Sequence, residues 1–319
     1  MISLIKGILY RMINNKPFLI MPCVITPVVI AVAIYFSSSF VARPNIGVVG
    51  DEGSNFKSSE VNIIKLEDKV PLSDLVKNKY DAVITFEAGS VKVDTIKGSD
   101  YKSKLEKMLK GEEVTIKDGE KRGVAANIIG FLTMFVLMLG VMLYKFFFDD
   151  KKGISKRVIS TNISYGQYVA SHFISVFIML FIPTAIITVL SKELFNLDTR
   201  VTALELVFVV LVLTLLASAY GLLISSLVKE EESASMLGTM INLITTLLAG
   251  SFFTISNNKL ISKIGEILPQ KHILDFTISL ENNDVITYGN LLNVILVSLM
   301  MIICSFLINR FKMRRYSYM

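Results

Sequence analysis

Tryptophan is absent from these 319 residues, and cysteine and histidine occur only twice each. Cys23 and Cys304 both fall inside long apolar runs, which excludes a disulfide framework or a thiolate metal centre and leaves them as small packing residues. His172 and His272 each stand alone at the edge of an apolar run. They read as hydrogen-bonded boundary residues rather than as a proton relay. The sequence contains no G-x-x-x-x-G-K-[ST], so it has no loop for cradling nucleotide phosphates. Nor does it contain H-E-x-x-H or G-x-S-x-G. No catalytic residue, metal ligand or cofactor is therefore expected, and the chain is not read as an enzyme. The apolar runs also lack acidic residues, apart from Glu205 near one end. With no inverted repeat visible either, an ion-driven transporter is disfavoured.

Apolar residues, by contrast, are abundant. They make up 52% of the chain, and the mean hydropathy is +0.58. Six stretches carry no Asp, Glu, Lys or Arg: residues 17–42, 123–144, 158–191, 206–228, 233–258 and 285–309. About 20 such residues form a helix roughly 30 Å long, enough to cross the hydrocarbon of a bilayer. The third stretch is longer than one crossing needs. Residues 17–42 exceed the core of a signal peptide and read as a retained span, with Pro17 and Pro22 near its start and Pro27 in its interior. The expected fold class is an all-α polytopic membrane protein with six transmembrane helices.

Six crossings put alternate loops on opposite sides. The segments on the side of the N-terminus hold 13 Lys and Arg against five acids, and the remaining segments hold 20 against 22. The positive-inside rule then places both termini in the cytoplasm. The net charge of +6 reflects this topology and contact with anionic membrane lipids; it is no sign of nucleic-acid binding. Residues 1–16 have Leu4, Ile5, Ile8, Leu9, Met12 and Ile13 at helical spacing among basic positions, the pattern of an interfacial helix. Residues 310–319 form a cytoplasmic tail.

Residues 43–122 carry 15 basic and 15 acidic residues and are too long for a simple loop. "NIGVV", "VNIIKL", "DAVITF" and "SVKVDTI" are β-prone runs; residues around 72–76 and 99–111 show helical spacing. A small extracytoplasmic α/β domain between helices one and two is the expectation. Residues 257–284 are too charged to cross, yet Leu260, Ile261, Ile264, Ile267 and Leu268 give them an apolar face. They are expected to lie in the outer interface or dip back as a hairpin near Pro269.

Between spans two and three lies "FFFDDKKGISKR", within a segment taken as 146–166. Orientation alone explains its bases but not Asp149 and Asp150, because acids add little to orientation. Acids at a helix N-terminus, with Gly153 allowing a sharp entry, suit a short surface helix. Ile154, Val158 and Ile159 would share a face and Lys156 and Arg157 would project elsewhere. Such a helix is something a partner protein could grip. Glu230 and Glu231 form a weaker second contact. Neutral polar residues inside the spans, among them Asn242, Thr245 and Thr246, more often pair helices than bind substrate.

The order of these parts resembles the permease subunit of type-2 ABC exporters of the kind with an outer domain between spans one and two. "NIGVVGDEGSNF", "PLSDLVKNKYDAVITFE", "DDKKGISKR" and "SMLGTMINLITTLLAGSFF" with "EILPQKHILDFTISLENND" each resemble phrases of that family. Gly250 and Pro269 match common family positions, while Asn162 stands where a proline often follows the coupling segment. The resemblance implies a bacterial plasma-membrane protein. It also implies two copies of a separate cytoplasmic ATPase and a second permease chain, identical or related. It identifies Asp149, Asp150, Gly153, Lys156 and Arg157 with the coupling helix, and Gly250 and Pro269 with an outer gate or re-entrant turn. The rival reading is a multi-pass receptor that binds a ligand with its outer domain and needs no ATPase.

Overall fold

The computed structural model describes residues 1–39, 45–49, 62–66, 80, 82–87, 90–95, 102–103, 105–107, 123–151, 153–161, 163–195, 199–252, 259–282 and 288–317. The chain divides into two compact units, one formed by residues 1–37 with 122–319 and the other by residues 38–121.

The helical unit opens with α1 (Ile2–Asn14), which buries Ile8 and Met12. The chain turns at Asn15 and enters α2 (Lys16–Ser39) directly. This helix runs through Pro22 and Pro27, which neighbouring groups in a bilayer tolerate better than water does. Helix α3 (Val124–Leu143) continues after a turn at Tyr144 into α4 (Lys145–Lys151), and α5 (Ile154–Ser160) follows. Helix α6 (Tyr165–Leu194), of 30 residues, starts where Ser164 and Gln167 cap each other's backbone N–H groups. The same box, Thr202 with Glu205, starts α7 (Ala203–Leu227). After these come α8 (Glu231–Leu248), α9 (Lys259–Ile267), α10 (Pro269–Asn282) and α11 (Gly289–Ser317).

Among the described residues, five helical stretches are long and apolar enough to cross a membrane: Lys16–Phe36, Val124–Lys151, Tyr165–Leu194, Ala203–Leu227 and Gly289–Lys312. The charge-free run 233–258 behaves differently. Its helix, α8, has 18 residues, about 27 Å at 1.5 Å per residue, and is diluted by serine, threonine and asparagine. It stops at Gly250, whose φ of 72° is the left-handed conformation that closes a helix C-terminus. Residues 253–258 lie outside the described residues. The segment after them forms two helices of nine and 14 residues, both well short of the roughly 30 Å of a bilayer core.

Helix α7 lies at the centre, packed on α3, α6 and α11. Its approach to α3 depends on small residues. A Cβ on Gly221 would stand 2.4 Å from the Gly140 carbonyl oxygen, and one on Gly140 would stand 2.5 Å from that of Ala217. Such backbone proximity is how helices gain contact when lipid is as apolar as their side chains. Polar side chains then tie the helices together. Tyr144 donates to the Ser218 carbonyl at 3.0 Å, Tyr220 to that of Gly238 at 2.6 Å, and Asn242 to that of Met134 at 2.7 Å.

The second unit holds a four-stranded sheet of β1 (Asn45–Val49), β2 (Asn62–Leu66), β3 (Ala82–Glu87) and β4 (Ser90–Thr95) in the order β2-β1-β3-β4. Strand β1 pairs in parallel with β2 and β3, and β3 pairs antiparallel with β4. Its core is Ile46, Val48, Ala82, Ile84, Val93 and Leu105. Most of the segments expected to be helical, around 72–76 and 99–111, lie outside the described residues.

Candidate coupling site

The end of the bundle where α1, α4 and α6 meet carries a buried carboxylate. Phe146, Phe147 and Phe148 all turn inward from α4, and a helix so anchored rolls Asp150 inward as well. Its side chain is only 2% exposed, and each carboxylate oxygen has a basic neighbour. The Arg11 guanidinium of α1 reaches one oxygen at 2.7 Å, and His172 Nε2 of α6 lies 3.2 Å from the other. Arg11 also lies over the Phe146 ring, 5.4 Å from its centre, a favourable place for a cation. The His172 ring is enclosed edge-on by Phe147 and Tyr168, at 5.3 and 4.7 Å between centres. A lone buried carboxylate would be very costly; here the Arg11 charge offsets that cost and ties α4 to α1, while the contact with His172 sets α6 beside the pair. The bond to Asp150 raises the Arg11 pKa above its already high value, so the guanidinium stays charged.

Nearby, cations close the C-terminus of α7. Lys151 Nζ is 3.3 Å from the Ser225 carbonyl oxygen and Lys312 Nζ is 2.6 Å from that of Ser226. Asn309 donates to the Ser226 hydroxyl at 2.6 Å. The last carbonyls of a helix have no intrahelical partner and carry its negative end, so both lysines sit where that end favours them. Lys151 also stands over the rings of Phe147 and Phe148.

Beyond Gly153 the short α5 projects from this anchored end. Gly153, Ile154 and Arg157 are exposed, while the Lys156 side chain and Asn162 lie outside the described residues. The hydroxyls of Ser160 and Thr161 donate back to the carbonyls of Arg157 and Val158 and close the helix. Asp149 is half-buried and Glu230 is exposed. Glu231 pairs with Lys145 of α4 at 3.3 Å, so the two segments singled out in the sequence meet at the same end of the bundle. Asp150 differs from what its place in a charged loop suggested. It faces inward and offers no surface to a partner, so any part it takes in coupling runs through the helices it holds.

At the opposite end of α3, Gly123 occupies the N-cap and has no side chain to cap with. Glu281 of α10 replaces it: one carboxylate oxygen accepts from the Ala125 N–H at 3.0 Å and the other from Ala126 at 3.1 Å. Nearby, Gln270 donates to Thr245 at 2.8 Å, binding the residue after Pro269 to α8 and so to the helix that Gly250 ends. Sequence reasoning missed these contacts because the partners of Arg11 and Glu281 lie more than a hundred residues away along the chain, and that of His172 lies on another helix, 22 positions earlier. Among the described residues, no three of His, Cys, Asp and Glu gather to hold a metal.

Residues 104–282, more than half of the chain, match the family model described as ABC-2 type transporter. No curated protein matches. The matched region runs from the end of the inserted unit through α10 and includes Asp150, α5, Glu231, Gly250, Pro269 and Glu281. The chain belongs to the ABC-2 type transporter family and is a membrane permease subunit of a type-2 ABC transporter.

Proposed function

We propose that this permease forms half of the translocation pathway of an ATP-driven exporter, driven by a separate cytoplasmic ATPase that grips α5. The observation that carries the reading is the contrast around Gly153. On one side a seven-residue helix presents the exposed Ile154 and Arg157, and on the other Asp150 fastens α4 to α1 and lies against His172 of α6. Force applied to α5 therefore enters three helices at once. The pairing of Lys145 with Glu231 lets α8 follow.

In this reading the chain crosses the plasma membrane six times, with α8 as the fifth crossing and both termini cytoplasmic. Residues 43–122 lie outside, and two such chains, or this chain and a related one, assemble with two ATPases. The charge bias supports the orientation, and the lack of any nucleotide loop supports a separate ATPase.

Two experiments test it. Lys156→Glu combined with Arg157→Glu should still insert in the same orientation but lose the ATPase on purification, or lose transport-coupled hydrolysis. Wild-type association and transport in that variant would return α5 to being a solvated loop. Cysteines at Ser58 and Ser99 should react with a membrane-impermeant thiol reagent on intact cells. Labelling only after lysis would invert the topology.

A further inference from the structure

A shallow, open groove of about 570 Å³ lies where α1 turns into α2, bordered by Tyr10, Arg11, Asn14, Asn15, Lys16 and Pro17, with the buried Phe146 behind them. Two cations, two amides and a phenol converge there, and no carboxylate lines it. Asp150, the nearest, is shut in behind Arg11, engaged on both oxygens. Together with the half-buried Asp149 it offsets part of the Arg11 charge, and among the described residues neither pairs with Lys16. Lys6 precedes Tyr10 and Asn14 at i, i+4 spacing on the exposed side of α1 and extends the basic row away from the groove.

The surroundings of the groove indicate what fills it. Ile2 and Ile13 of α1 and Leu19 and Ile20 of α2 are exposed large apolar residues, and on a chain of this hydropathy such residues face lipid. The groove thus opens at headgroup level, at the end of the span that starts at Lys16. A basic pocket beside a membrane helix at that depth fits an anionic phospholipid headgroup, with the glycerol and upper acyl chain running along Pro17 and the exposed Leu19 and Ile20 of α2.

We infer that this groove is a binding site for one anionic phospholipid, whose phosphate lies between Arg11 and Lys16 and whose headgroup meets the amides of Asn14 and Asn15. The lipid would brace the α1–α2 turn against the helix that carries Asp150. The inference is independent of the transport reading, because lipid occupancy can be measured with no ATPase present.

The test is native mass spectrometry of the full chain released from nanodiscs of phosphatidylcholine mixed with phosphatidylglycerol. The unaltered chain should retain phosphatidylglycerol in preference to phosphatidylcholine. Lys16→Gln should reduce that retention about fivefold, the effect expected for one cation near an anionic surface; Lys229→Gln, which removes a cation outside the groove, should not. Asn14→Asp, which adds a negative charge at the rim while keeping Lys16, should also lower retention. Equal retention of the two lipids, or equal loss in Lys16→Gln and Lys229→Gln, would overturn the site. If millimolar inorganic phosphate displaced phosphatidylglycerol, the lipid would be overturned as the occupant in favour of a free anion.

Discussion

Glu281 gives the sharpest test of how this bundle is held at the N-terminal end of α3. The N–H groups of Ala125 and Ala126 belong to the first turn of α3, where a helix supplies no acceptors of its own; the first intrahelical bond is from Asn127 to the Gly123 carbonyl. With glycine at the N-cap, both donors depend on a carboxylate that reaches across from α10. Hydrogen bonds to a charged group contribute about 1.5–3 kcal/mol each. The site is only partly buried, so water can replace part of that on removal, and about 2–3 kcal/mol for the pair is a fair expectation. At about 1.4 kcal/mol per factor of ten, Glu281→Ala should speed hydrogen exchange at Ala125 and Ala126 by roughly 30- to 150-fold, leaving the middle of α3 protected. Glu281→Gln keeps one acceptor oxygen but loses the charge, and should fall between. Gly123→Ala offers an independent perturbation, since its Cβ would lie 1.8 Å from the Glu281 carboxyl carbon and should push the carboxylate away. Unchanged exchange at Ala125 and Ala126 in Glu281→Ala would show that the clamp contributes nothing and would refute the reasoning.

Three further outcomes follow from the packing. Gly221→Ala places a methyl group against the Gly140 carbonyl and should destabilise by about 1–3 kcal/mol, seen as a lower temperature of aggregation in detergent, with Gly221→Leu failing to yield monodisperse protein. A double-mutant cycle of Arg11→Gln and Asp150→Asn should show a coupling of about 1–3 kcal/mol in thermal stability, because the carboxylate is 2% exposed and the guanidinium 35%; additive effects would show that the pair does not anchor α1. Lys145→Ala should cost no more than about 1 kcal/mol, since this lysine and Glu231 are each more than a third exposed and such pairs are weak.

Legibility from sequence followed the range of the interactions. Charge-free runs marked all five apolar helices because the length a bilayer requires is written locally in composition. The four strands formed where short β-prone runs stand between turn residues, again a local signal. The run 233–258 did not translate into one long helix: charge counting sees neither Gly250 as a stop nor the polar dilution of α8. The charged segment 146–166 was recognisable as unusual, yet its acids divide in a way composition cannot show. Phe146, Phe147 and Phe148 fix the rotation of α4 by burying themselves, and that rotation turns Asp150 toward Arg11 and His172. His172 looked like a boundary residue when read alone; its neighbour in space is 22 positions earlier in sequence, with a short helix between. His272 did behave as such a residue, with its ring nitrogen 3.3 Å from Asn290.

The two carboxylates give α3 and α4 a mechanical character that neither end shows alone. Helices α3 and α4 follow one another over residues 124–151, free of charge as far as Tyr144. Asp150 fastens one end to α1 and α6, and Glu281 fastens the other to α10. Between them Gly140 meets α7 at backbone distance. A packed contact of that closeness resists sliding, because any shift along the axis drives a carbonyl into a neighbouring Cα; it resists rocking about the contact far less. If an ATPase displaces α5, the motion least opposed by this packing is therefore a tilt of the stretch about Gly140, which carries its far end against α10. Helix α10 would then respond through Glu281, and the two ends of the stretch would move in opposite senses. Cross-linking supplies the check. A cysteine pair joining α3 to α7 beside Gly140 should leave transport largely intact, whereas a pair joining α3 to α10 beside Glu281 should abolish it. Equal inhibition by both would mean that α3 moves as a translating body and not as a lever.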